Sequence, residues 1–213
     1  MADGRAATAG QFADPGQQRE AAFLGMWLFL ATEAMLFGGL FLAVIVYRYL
    51  YPEGVRAAAR HLHLWIGGAN TAVLLTSSLT MALAVLAART GNRRAAARLL
   101  AATVLLGIGF LGLKGYEYWL EYGEGLMPGV GPPAPLASGP ARLFINIYFI
   151  ATALHGLHLL IGIGVVAVVA LRIFLLRLRL PDRHVVVEIA GLFWHFVDAV
   201  WIFLYPVLYL IGR

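Results

Sequence analysis

The sequence contains no cysteine. Disulfides, thiol nucleophiles and thiolate metal sites are therefore excluded, and the redox compartment stays undetermined. Charge is scarce as well. Only 13% of the 213 residues are Asp, Glu, Lys or Arg, against about 25% in an ordinary soluble domain. Lysine is almost missing: Lys114 stands alone beside fifteen arginines, and the net charge is +5. The arginines lie between apolar runs, so membrane topology accounts for them better than binding to nucleic acid. Residues 1–20 are polar and carry no apolar stretch, so no cleavable signal peptide is expected. There is also no phosphate-binding loop, internal repeat, soluble domain or charged ladder. What is abundant is apolar side chain, at 61% of residues. A soluble fold of this length could not hide that much apolar surface, and lipid is the expected solvent.

Five apolar runs are readable: Ala22–Tyr47, Leu64–Ala88, Leu99–Trp119, Leu143–Leu171 and Ile189–Ile211. About 20 residues carry a helix across the hydrocarbon core, and each run meets that length. The expected fold class is therefore all-α, an integral membrane bundle of five transmembrane helices. Five spans put the N-terminus, the second loop and the fourth loop on one side. That side holds Arg5, Arg19, Arg89, Arg93, Arg94, Arg98, Arg172, Arg177, Arg179 and Arg183, and the other holds Arg48, Arg56, Arg60, Arg142 and Arg213. Ten against five places the N-terminus in the cytoplasm and the C-terminus outside. Residues 1–20 are read as a polar cytoplasmic segment, and 21–213 as the membrane domain. The third loop, Glu121–Pro140, has Pro128, Pro132, Pro133, Pro135 and Pro140 among several glycines, and is read as a turn or excursion without helix.

Polar groups inside the spans need a reason, because a charge at the bilayer centre costs about 2.5–3.5 kcal/mol on insertion scales. Glu33 falls near the middle of the first span. It reads either as a proton-handling or lipid-contacting carboxyl, or as a neutral acid making one interhelical hydrogen bond. His155 and His158 are three residues apart, on one side of a helix. Zinc-binding helices more often space their histidines by four with a Glu between, so interhelical hydrogen bonding, to Glu33 or a lipid phosphate, is the preferred reading over a metal or haem site. His195 and Asp198 have the same spacing, but no serine, cysteine or metal accompanies them in the motif, and a structural His–Asp pair is expected. Lys114 and Glu117 are again spaced by three among Tyr116, Tyr118 and Trp119. They read as an interfacial anchor. Asn70, Thr71, Thr76, Ser77, Ser78 and Thr80 make the second span polar on a face expected to point into the bundle.

Taken together in order, these segments resemble subunit III of the cytochrome c oxidase family. The stretch Gly25–Phe41 around Glu33 is similar to that family's carboxylate helix, and Asn70–Thr80 to its next helix. Lys114-Gly-Tyr-Glu117-Tyr resembles its Lys/Glu–Tyr helix end. Tyr148–His158 resembles its Thr-Gly-x-His-Gly-x-His motif, with Ala153 in place of the usual Gly. Trp194-His195-Phe-Val-Asp198-Ala-Val-Trp201 resembles its C-terminal signature. The matches span residues 24–211 and fit the shorter bacterial form that lacks the first two of seven helices.

The resemblance implies a non-catalytic, multi-pass subunit of a proton-pumping haem–copper terminal oxidase in the bacterial plasma membrane. On that basis haem and copper sit in the partner subunits I and II and none in this chain, phospholipid is bound, and cytochrome c donates electrons to the complex. The position of Glu33 matches the family's carbodiimide-reactive carboxyl, and Glu33, His155 and His158 are expected to form one polar cluster. His195, Asp198 and Trp201 are expected to brace the last helix against it. A quinol oxidase subunit III, or a nitric-oxide-reductase accessory protein, is the alternative within the family. A separate transporter, or a cytochrome b using His155 or His158 with His195, is the alternative outside it.

Overall fold

A computed structural model describes residues 14–127, 139–176, 178 and 180–210. The elements among the described residues are all helical: α1 (Pro15–Leu50), α2 (Pro52–Ala59), α3 (Leu64–Arg89), α4 (Arg93–Gly123), α5 (Gly139–Phe174) and α6 (Val185–Tyr205), followed by a π-helical turn over Pro206–Leu210. Five of these helices are long and apolar enough to cross a membrane, as the apolar runs predict.

The helices outlast the apolar runs because their polar ends are capped. Asp14 accepts a hydrogen bond from the Gln17 backbone at 2.8 Å, and Pro15 occupies the first turn, where no N–H is needed. The boundary expected after residue 20 therefore falls inside α1. Asn92 caps α4 through the Ala95 backbone at 3.1 Å. At its far end α4 runs on to Gly123, so Glu121 is helical and does not open a loop. Residues 128–138 of the expected third loop lie outside the described residues. Helix α2 was not expected; it buries Val55, Ala58 and Ala59, and its Gly54 lies so close to Pro140 that a Cβ would stand 2.8 Å from that ring.

Hydroxyl and indole groups set the register between α3 and α6. Trp194 Nε1 donates to Ser77 Oγ and Trp201 Nε1 to Thr71 Oγ1, both at 3.1 Å. Each hydroxyl in turn donates to a carbonyl of its own helix, Leu74 or Gly67. The two rungs run antiparallel along α3 and α6 and use each hydroxyl both as acceptor and as donor, the use of Ser and Thr that apolar surroundings favour. A third rung, Thr80 to Thr103 at 2.8 Å, ties α3 to α4. Asn70 and Ser77 are buried and Thr71, Ser78 and Thr80 partly so, as the polar face predicts; Thr76 alone of the set is exposed and bonds back to Ala72.

Helix α1 packs more loosely. It reaches α5 through Tyr47 Oη, which donates to the Pro140 carbonyl at 2.9 Å, and leaves Leu24, Trp27, Leu28, Met35, Leu42 and Tyr49 exposed along its outer side. At the opposite end Glu188 is buried between Arg89 and, at 3.8 Å, Arg19, which joins α1, α3 and α6.

Close packing of α4 depends on Gly107, where a Cβ would meet Trp194 at 2.8 Å and Ile163 at 3.0 Å. Gly107→Val should lower unfolding stability by about 1–3 kcal/mol through overpacking. Gly112→Ala, with open space at its Cβ, should be neutral. Thermal unfolding of the two variants in detergent compares them directly.

Candidate functional site

Lys114 and Glu117 form the centre of a closed polar cluster. Their side chains are 6% and 0% exposed and bond at 2.9 Å. This corrects the expectation of an interfacial anchor. A helix turns about 100° per residue, so the i, i+3 pair faces one way and its aromatic neighbours another. Tyr116 and Trp119 are the exposed ones, while Lys114 and Glu117 turn towards α5 and the π-helical turn. Lys114 Nζ also donates to Tyr148 Oη at 2.9 Å and Tyr209 Oη at 2.6 Å. It lies 4.8–5.5 Å from the ring centres of Tyr118, Tyr148, Trp201 and Tyr209, a cage that adds cation–π attraction. Tyr209 donates to Glu117 at 2.7 Å, and Tyr148 to Glu121 at 2.7 Å. Tyr209 reaches the cluster because Pro206 has no N–H to continue the α-helical ladder, and the chain passes into a π-helical turn that faces Tyr209 inward.

A second polar site joins α1 to α5. His158 Nε2 stands 2.8 Å from Glu33 Oε2, and its Nδ1 stands 2.8 Å from the Leu154 carbonyl. A carbonyl only accepts, so Nδ1 carries a proton. The contact to Glu33 then contains one further proton, held either as carboxylic acid and imidazole or as carboxylate and imidazolium. Both arrangements are neutral overall, which is how an acid persists in the middle of a span. The pair is partly open, with 11% of the His158 side chain and 16% of Glu33 exposed.

His155 does not join them. Three residues of helix leave two side chains about 60° apart, enough to turn His158 to Glu33 on α1 and His155 to Phe110 on α4 and Trp201 on α6. It lies fully buried between Phe110 at 5.6 Å and Trp201 at 5.0 Å. The expected cluster of three is a pair and a separate histidine. The expected pairing of His195 with Asp198 is also not formed. Ser78 of α3 takes the imidazole, with His195 Nδ1 at 2.8 Å from its hydroxyl. Asp198 is buried beside the same Ser78, and neither of its oxygens makes a well-aligned hydrogen bond. Trp194 and Trp201 do brace α6, through Ser77 and Thr71 on α3. Asn70 is buried one turn beyond Gly67, which is packed against Tyr205 and Tyr209.

Sequence reasoning missed Glu121, Tyr148 and Tyr209 as site residues. Glu121 had a signal: it follows Glu117 by four, on the same helix face. Tyr209 had none, because only the π-helical turn aims it inward. The clasp of Glu188 by Arg89 and Arg19 joins residues 99 and 169 positions apart and left no local signal either.

A bundle of five membrane-crossing helices, held by buried ion pairs and hydroxyl–indole rungs, defines a multi-pass membrane protein. The family model described as cytochrome c oxidase subunit III matches residues 9–213, and the chain belongs to that family. It is 32% identical to cytochrome c oxidase subunit 3 of Thermostichus vulcanus over 199 residues, covering 89% of this chain and 87% of that protein. It is 32% identical to cytochrome bo(3) ubiquinol oxidase subunit 3 of Pseudomonas aeruginosa over 191 residues, 88% of this chain and 84% of the relative. Cytochrome c oxidase subunit 3 of Danio rerio shares 39% identity over 140 residues, 66% of this chain and 48% of the fish protein.

Removing one partner of a buried ion pair costs about 3–5 kcal/mol, because the other charge is left behind. Lys114→Met should therefore be strongly destabilising, and Lys114→Met combined with Glu117→Gln should recover part of the loss. Thermal unfolding of the single and double variants measures both, and a double variant less stable than Lys114→Met would contradict the pairing.

Proposed function

We propose that the chain is the non-catalytic subunit III of a proton-pumping haem–copper terminal oxidase that receives electrons from cytochrome c. In this reading it stabilises the catalytic subunit, holds lipid and supports proton uptake. The observation that carries it is the match of the family over residues 9–213, together with the Glu33–His158 pair at the residues that resemble the family's carboxylate and histidine motifs. The partners are oxidase subunits I and II, which hold the haem and copper. The arginine distribution supports a cytoplasmic N-terminus in a bacterial plasma membrane.

Lipid fits a cavity of about 290 Å³ between α1, α3 and α6. Arg89 and Glu188 stand at its charged end, and Phe23, Val85 and Leu192 wall it. An apolar wall with a charged end supports binding of an acyl chain there. The second reading within the family, a quinol oxidase subunit, is supported by the bo(3) relative, whose 32% identity equals that of the Thermostichus vulcanus cytochrome c oxidase subunit.

Glu33→Gln tests the accessory role. The variant complex should lose carbodiimide labelling of this chain and keep electron transfer through its haems. Loss of haem reduction in that complex would contradict the reading. Oxygen consumption with reduced cytochrome c against a quinol separates the two donors.

A further inference from the structure

The Lys114 network has a fixed number of protons. Lys114 has three N–H groups and spends them on Glu117 Oε2, Tyr148 and Tyr209. The single Tyr209 proton goes to Glu117 Oε1 at 2.7 Å. Both Glu117 oxygens are then served, and the ammonium matches its charge. The single Tyr148 proton goes to Glu121 Oε1 at 2.7 Å, a better contact than its 3.2 Å to Glu117. Glu121 is left as a second carboxyl with no cation of its own. It is fully buried, and its Oε2 has no hydrogen-bond partner. With Glu121 ionised, the cluster would hold an uncompensated negative charge inside the bundle. The Tyr148 and Tyr209 hydroxyls, 3.0 Å apart, would also have no proton between them.

One proton on Glu121 resolves both faults. Its O–H donates to Tyr148, and Tyr148 turns its own proton to Tyr209. Each hydroxyl oxygen then accepts two hydrogen bonds, which its lone pairs allow. The cluster becomes neutral, with Glu117 as its anion. The groups facing Glu121 are Lys114, Glu117, Tyr118 and Glu124 on its own side of the chain, Tyr148 from α5 and Tyr209 from the π-helical turn. Glu124 is partly exposed and lies near enough to Glu121 to repel it. It stands 3.5 Å from His63, and these two line an open cavity of about 540 Å³ with Arg60 and Trp65.

We propose that Glu121 is a proton-binding site, holding an exchangeable proton against Tyr148 and trading it with water on the side of Glu124, the neighbouring acid that lines the open cavity. On release the Glu121 O–H bond breaks, its electron pair stays on the carboxylate, and the proton passes to water. Tyr148 then turns its hydroxyl proton back to Glu121 Oε1. The site lies apart from the Glu33–His158 pair and does not depend on which electron donor the complex uses.

Infrared difference spectroscopy of the intact assembly containing this chain tests the proposal, comparing the unchanged protein with Glu121→Gln in H2O and in D2O. The expected result is a neutral-carboxyl C=O stretching band that shifts in D2O and is missing from Glu121→Gln. An assembled Glu121→Gln complex with the same carboxyl bands would overturn the proposal, as would a Glu121 band that does not shift in D2O. Should Glu121→Gln fail to assemble, Tyr148→Phe gives a separate reading. Loss of its hydrogen bond should move the same band to higher frequency, and an unmoved band would overturn the assignment.

Discussion

A lysine ammonium taken out of water must find an acceptor for each of its three protons, and one half of this bundle is arranged around that requirement. Lys114 is the only lysine in the chain, and it is buried. The acceptors come from three segments: Glu117 on α4, Tyr148 on α5 and Tyr209 beyond α6. Desolvating two charges is expensive unless their remaining valences are filled. The cluster meets that condition only when all three segments are in place. A single charged side chain thereby fixes the relative positions of α4, α5 and the end of α6, and the close approach of Tyr209 to Gly67 adds α3.

The other half of the bundle uses weaker and more numerous links. Indole N–H groups of α6 find hydroxyls of α3, and threonines join α3 to α4. Where hydrocarbon surrounds the helices there is no hydrophobic drive between them, and packing with interhelical hydrogen bonds supplies the adhesion. Helix α1 shares least in this bracing. Its chief polar contact within the membrane, Glu33 with His158, is therefore set in a compliant and partly open part of the fold.

Much of this was legible in the sequence. The five spans follow from apolar length alone. The inward face of α3 follows from the run between Asn70 and Thr80, although Thr76 turned out exposed. The sequence left Glu33 or a lipid phosphate as the partner of His155 and His158, and the contact formed is Glu33 with His158. What the sequence did not carry depended on angle and on distance along the chain. His155 and His158 look equivalent at a spacing of three, yet the 60° or so between them sends one to α1 and the other to the aromatic interior. His195 and Asp198 look like a pair, but Ser78, 117 residues earlier than His195, competes for the imidazole. Lys114 looked interfacial because aromatic residues flank it. The partners that draw it inward, Tyr148 and Tyr209, are 34 and 95 residues away.

The central claim is that this chain supports redox chemistry located elsewhere. It is tested most directly by purifying the tagged chain in mild detergent with whatever it binds, recording the visible spectrum, and then stripping the chain away and recording it again. The account predicts that haem absorption co-purifies with two larger subunits and stays with them after the strip, while the isolated chain is colourless. Haem absorption that follows the isolated chain would contradict it, and so would a chain that purifies alone.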